Sequence, residues 1–178
     1  EYADRPRVLI DHGASNLKWF LANQRRFDFF DVIITAGPDH TRSLLTFFPG
    51  GSDRSGKVRS AGFIKSRQLL GPPLRTRDEV CSLCSLDPQK PIVLFVPTWY
   101  ITNNRDIALA IEQISEIDNH VALLHPETAH IDVSKLNVAV NENGILSELL
   151  KHADCVISEL SSTIFEAAAL QKPIVQIL

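Results

Sequence analysis

Strand-like apolar runs and helix-like apolar spacings take turns along almost the whole chain, and that pattern points to a parallel β-sheet with crossover helices. The clearest strand is 92–96, Ile-Val-Leu-Phe-Val, apolar at every position as a central strand covered on both faces must be. Around it the spacing predicts strands at 8–10, 32–35, 58–64, 120–124, 138–140, 155–158 and 174–178. Helices are predicted at 16–27, 37–45, 106–117, 145–152 and 162–170, the third of these from Ile107, Ile111, Ile114 and Ile117 at helical intervals. Gly71-Pro72-Pro73 interrupts the alternation. Each proline fixes its own φ and restricts the residue before it, so the boundary between two α/β units is placed there.

Composition excludes several classes. With 44% hydrophobic and 22% charged residues among 178, the chain can build a core and is not a disordered tail, a collagen-like fibre or a disulfide scaffold. No apolar run approaches the roughly 18 to 20 residues of a membrane-spanning helix. Charge divides unevenly: residues 1–90 carry 14 Lys/Arg against 10 Asp/Glu, and residues 91–178 carry 4 against 11, within a net charge of -3. Much of the basic excess runs from Arg54 through Lys57, Arg59, Lys65 and Arg67 to Arg75 and Arg77. That stretch reads either as a solvated linker or as a face for a polyanion. The acidic net balance and the lack of aromatics among those charges speak against a nucleic-acid partner. The chain starts at Glu1, contains no methionine and ends on an apolar strand with no helix after it, so an internal piece of a longer protein is expected.

Three cysteines form no complete disulfide set, and Cys81 and Cys84 make a lone C-x-x-C without a second pair. The segment around them reads as a short amphipathic helix with Val80, Leu83 and Cys84 on its apolar side. Thiols packed as core in a reducing, cytoplasmic setting are therefore expected, rather than zinc or redox chemistry. No H-x-x-x-H and no carboxylate cluster suggests a metal site. P-loop and G-x-G-x-x-G signatures are absent as well, and no cofactor is expected.

Ligands of open parallel sheets bind beyond the carboxyl ends of the strands, which directs attention to three places. His12 follows the first strand, and Gly13 behind it lets a substrate approach the backbone; an imidazole there has the chemistry of a general base or simply faces solvent. His125 follows the strand at 120–124 on a turn stiffened by Pro126. The run Ser158-Glu159-Leu160-Ser161-Ser162-Thr163 opens a helix, where hydroxyls, unpaired N–H groups and the helix dipole suit a phosphate. Glu166, one turn in, is placed to accept hydrogen bonds from sugar hydroxyls. The plainer alternative makes Ser161 an ordinary N-cap and Glu166 a favourable first-turn carboxylate. His40, His120, His130 and His152 have no such context and are assigned to surface or packing.

Taken in order, His12-Gly13 with Leu17-Lys18, Pro97-Thr98-Trp99, His125-Pro126, then Asp154, Ile157-Ser158, Ser161-Ser162, Phe165-Glu166, Leu170 and Lys172-Pro173-Ile174 resemble the CDP-glycerol:poly(glycerophosphate) glycerophosphotransferase family. These are teichoic acid and capsule-type polymerases and primases. The resemblance implies an α/β fold of GT-B type, with two Rossmann-like parallel-sheet domains that are both incomplete here. Residues 1–70 would be the C-terminal part of the acceptor-side domain, 71–90 a linker with a short helix, and 91–178 the donor-nucleotide-binding domain, truncated at its C-terminus. Departures stand at 62–67, where the family often has Gly-x-Pro-Arg-x-Asp, at Tyr100 in place of an arginine, and at Glu159-Leu160 in place of Asp-Tyr.

The resemblance further implies a transferase that moves glycerol phosphate, or a related polyol phosphate, from a CDP-activated donor to an anionic polymer or lipid-linked acceptor, with release of CMP. His12 would be the base on the acceptor hydroxyl and His125 would contact the donor phosphates. Ser161, Ser162 and Thr163 would hold the pyrophosphate, Glu166 donor hydroxyls, and Gly13, Pro97 and Thr98 would form supporting loops. Work at the inner face of the cell membrane, peripherally bound, is also implied. Two alternatives stay open: a nucleotide-sugar glycosyltransferase or epimerase-like enzyme on the same fold, and a non-catalytic nucleotide-binding module.

Overall fold

The computed structural model describes residues 5–10, 29–46, 56–97, 104–125, 132–142, 144–159 and 161–177. The chain divides into two compact units, 1–67 and 68–178. Each is built on its own parallel sheet, so the α/β expectation holds in both.

The first unit carries β1 (Val8–Ile10), β2 (Val32–Thr35), α1 (Pro38–Thr46) and β3 (Val58–Ser60), with all strands parallel in the order β1-β2-β3. Ile33, Leu44 and Val58 form its described core, with Leu9, Phe30 and Leu45 packed against them. As the outermost described strand, β1 leaves Val8 and Ile10 each 48% exposed. The strand expected over 58–64 stops at Ser60, and Gly62 adopts φ +92°, a left-handed conformation that a strand does not continue through. Thr35 and Thr41 share a hydroxyl hydrogen bond of 2.6 Å, and Nδ1 of the buried His40 accepts the Ala36 N–H at 3.1 Å. His40 is therefore a packing residue of the β2–α1 corner.

After α2 (Ser66–Leu70), the second unit contains α3 (Arg77–Leu83), β4 (Val93–Val96), α4 (Asn104–Ser115), β5 (His120–Ala122), α5 (Ile145–His152), β6 (Cys155–Ser158), α6 (Thr163–Ala169) and β7 (Ile174–Gln176). The sheet order is β5-β4-β6-β7, all parallel. The strand expected at 138–140 is reduced to one parallel bridge, Val138 to Ala122, on the outer side of β5. Counting that bridge as a vestigial strand, the spatial order is third, second, first, fourth, fifth, the doubly wound order of nucleotide-binding sheets.

α4 forms because Ile107, Ala110, Ile111 and Ile114 recur at helical spacing, and all four are buried against Phe95, Ala122 and Leu136. Removing each of the larger side chains from water contributes about 1.5 to 3 kcal/mol. α3 starts at a capping box, with the Thr76 hydroxyl accepting the Glu79 N–H and the Glu79 carboxylate accepting the Thr76 N–H. Its inner side is Val80 and Cys81, with Cys84 at the C-cap; Leu83, expected there, is 63% exposed. Position 81 lies one residue after 80 and 84 four after it, so these three converge while 83 turns outward.

Polar side chains close the amino-terminal edge of this sheet. The Arg77 guanidinium donates to the carbonyls of Pro88, Lys90 and His152 and pairs with Asp154 at 2.9 Å. Arg77 thus belongs to the fold and not to a solvated basic face. Asn119 accepts the Asp87 N–H and donates to the carbonyls of Asp87, Lys90 and Pro91. His120 donates from Nδ1 to the Ile117 carbonyl and accepts the Asn137 N–H at Nε2, while His152 donates from Nε2 to the Arg75 carbonyl. Both imidazoles are structural.

Candidate functional site

Because all four strands run in parallel, their carboxyl ends meet along one edge. Pro97 after β4, His125 beyond β5, Glu159 and Ser161–Thr163 after β6, and Gln176 at the end of β7 are therefore brought to a common side of the sheet. The strand order reverses between β4 and β6, since the chain from β4 proceeds to one side and later returns on the other. A crevice at such a point is where doubly wound sheets place their ligands.

At this reversal point the strand ends are tied together. Ser158, the last residue of β6, is fully buried, and its hydroxyl donates to the Val96 carbonyl at the end of β4 over 2.6 Å. The Ser158 carbonyl accepts the Ile177 N–H at 2.9 Å, so β4, β6 and β7 are joined at their ends through one residue. The Gln176 side chain donates to the Glu159 carbonyl at 3.4 Å. Glu159 is half-buried, and that burial pushes its carboxyl above the ordinary value.

At the start of α6 the hydroxyls divide their work. Ser161 accepts the Thr163 N–H at 3.3 Å and donates to the Thr163 hydroxyl at 3.1 Å. Ser162 occupies the N-cap position in a helical conformation, and its hydroxyl makes no capping bond. So Ser161 serves as a local cap from one residue further out, and Ser162 carries the hydroxyl not committed to capping. Thr163 is buried at 5% exposure and Glu166 at 4%. Pro97 is buried, whereas His125 is exposed on the same edge.

His12, Gly13 and Thr98 lie outside the described residues, as do Tyr100, Leu160 and His130. Ser158 was read only as part of the hydroxyl run, without its bond to Val96, and Gln176 was not singled out by the sequence. A serine closing an otherwise apolar strand at the reversal point was the available signal for the first.

Among the described residues, no group of three or more His, Cys, Asp or Glu side chains is arranged to hold a metal ion. No helix among them is long and apolar enough to cross a membrane. Burial raises the Cys81 and Cys84 thiols above their ordinary value, and both residues are buried.

No family profile matches the chain, and no curated protein matches it in sequence. Among solved structures it is similar to the wall teichoic acid polymerase TagF, with a TM-score of 0.63 and 16% identity over 97% of this chain and 49% of that one. A TagF variant soaked with CDPG gives a TM-score of 0.60 and 20% identity over 84% of this chain and 38% of that one. Anabaena HepE in complex with UDP and glucose gives 0.52 and 13% identity, over 97% and 52%. The chain thus spans about half the length of TagF, 49% in the first comparison. What is shared at these identities is the fold, an α/β architecture of GT-B type.

Proposed function

We propose that this chain is part of a GT-B transferase that moves glycerol phosphate, or a related polyol phosphate, from a CDP-activated donor to an anionic or lipid-linked polymer, with release of CMP. The observation that carries the reading is the gathering of Pro97, His125 and the hydroxyl run Ser161–Thr163 on the carboxyl edge of the second sheet, around its reversal point. The motif order described above supports the choice of family, and the likeness in fold to TagF accords with it.

In this reading, residues 1–70 belong to the acceptor side, 71–90 connect, and 91–178 bind the donor. His12 takes the proton from an acceptor hydroxyl as that oxygen attacks the glycerol-bearing phosphorus. The bond from that phosphorus to the bridging oxygen breaks, and CMP departs with the electron pair. Negative charge growing on the leaving phosphate is met by Ser162 and the N–H groups entering α6, with His125 approaching from β5. Glu166 binds hydroxyls of the donor, and Pro97 belongs to a supporting loop. Work as a peripheral protein at the inner membrane face belongs to the same proposal.

The test is product analysis. Incubation with CDP-glycerol and a polyol-phosphate acceptor should release CMP in step with acceptor elongation, and a folded sample that releases none would overturn the proposal. A second reading, a nucleotide-sugar transferase, is favoured by the likeness to HepE with bound UDP and glucose. It would be marked by UDP release from a uridine sugar under the same conditions.

A further inference from the structure

The hydroxyl of Ser158 is a polar group at 0% exposure, on the last residue of an otherwise apolar strand. A serine there needs a reason, because alanine or valine would fill the same position without a polar atom to satisfy. The structure supplies one. Ser158 and Val96 are direct partners in the β4–β6 register and are the final residues of their strands, and the hydroxyl joins them at 2.6 Å. On its other side the Ser158 carbonyl holds the Ile177 N–H. The described residues that follow the two strand ends are Pro97 after β4 and, after β6, Glu159, Ser161 and Ser162.

We propose that Ser158 is a positioning residue of the donor site: its hydroxyl fixes the spacing between the β4 and β6 carboxyl ends, and thereby the placement of the hydroxyl run that follows. This rests on the donor-binding reading above. Strand pairing alone holds Val96 and Ser158 at sheet distance, but the β4–β6 register ends at this pair, and the ends of strand pairings fray. A short hydroxyl-to-carbonyl bond at a buried position resists that fraying where a small displacement alters the contacts of a bound phosphate.

The test compares wild type, Ser158→Ala and Ser158→Thr. CMP affinity is measured by calorimetry well below each melting temperature, and exchange of the Thr163 and Ile177 amides is followed by hydrogen–deuterium exchange. Loss of the hydroxyl should weaken CMP binding about fivefold or more and speed exchange at both amides, and threonine, which keeps the hydroxyl, should restore both to within about twofold. An alanine variant with a lower melting temperature but unchanged affinity and unchanged Thr163 exchange would overturn the proposal, leaving Ser158 a strand-stability residue. Should wild type bind no CMP, the donor reading fails by itself; the amide exchange then decides whether Ser158 holds Thr163 and Ile177 in place. If the alanine variant does not fold, Ser158→Cys, with a weaker donor of similar size, takes its place in the same comparison.

Discussion

The carboxylate of Glu148 on α5 accepts the backbone N–H of Leu74 at 2.9 Å, and the same oxygen accepts the N–H of Arg75 at 2.9 Å. Its other oxygen lies 3.5 Å from Lys151 Nζ, which donates to the Pro72 carbonyl. The residues after Gly71-Pro72-Pro73 are thereby fastened to α5, although proline-rich composition gives no hint of it. Glu148 is 2% exposed, and a carboxylate at that depth is tolerable only because two N–H groups and an ammonium surround it.

Glu148→Ala should therefore cost about 3 to 5 kcal/mol, since it strands the Lys151 charge and two backbone donors together. Glu148→Gln keeps an oxygen for Leu74 and Arg75 and should cost less. Urea unfolding of the two variants checks the ranking, and equal costs would contradict the double-acceptor geometry.

Asp154 gives a pH prediction. Burial works to raise its carboxyl, but the Ile92 N–H at 2.8 Å and the Arg77 guanidinium outweigh this and hold it below its ordinary 3.8. A depressed carboxyl contributes stability that is present above the unfolded value and lost as pH falls through the folded one. Wild type should lose its advantage over Asp154→Asn on acidification below the ordinary carboxylate range. The gap should be modest, because the Asp154 side chain is 50% exposed. Unfolding midpoints across an acid series measure it.

Glu159 has the opposite sign. Burial raises its carboxyl, so the folded state favours the protonated form, and the stability this gives is lost as pH rises through the raised value. Glu159→Gln should therefore be no less stable than wild type at neutral pH, and its gain should vanish in acid. Thermal melts at the two pH values decide it.

The thiols of Cys81 and Cys84, buried and raised by burial, should react with a thiol reagent only as fast as the second unit opens. Added zinc or a chelator should leave the melting temperature unchanged. Rapid labelling of either cysteine in the native protein would show that α3 does not pack as described.

How much of this was legible in the sequence depends on the range of the interactions. The limits of α5 and β6 agree with expectation to the residue, because Gly144 and Asp154 stop each period locally. The T-x-x-E capping box at Thr76 was equally local and was overlooked. What escaped were side chains whose partners are backbone groups far along the chain: Glu148 with Leu74, Arg77 with His152, and Asn119 with Lys90. Composition assigned Arg77 to a basic stretch, but only the folded sheet edge supplies its carbonyls. In the candidate site, the sequence located Ser161, Ser162 and Thr163 at a helix start. It did not divide their hydroxyls between capping and availability, since that division depends on the backbone angles of Ser162.

In the proposed reaction His12 is the base on the acceptor hydroxyl. His12→Ala should lower turnover about a hundredfold or more while leaving nucleotide affinity within about twofold. Parallel loss of binding would assign His12 to the donor pocket instead.

Calorimetric titration with CDP-glycerol, CDP-ribitol, UDP-N-acetylglucosamine and CMP asks whether the second sheet carries a site for a cytidine-activated donor. A cytidine donor should bind most tightly, CMP should compete with it, and Ser162→Asp should abolish both by placing a carboxylate against the phosphate. Preference for the uridine sugar, or unchanged affinity in Ser162→Asp, would contradict that reading.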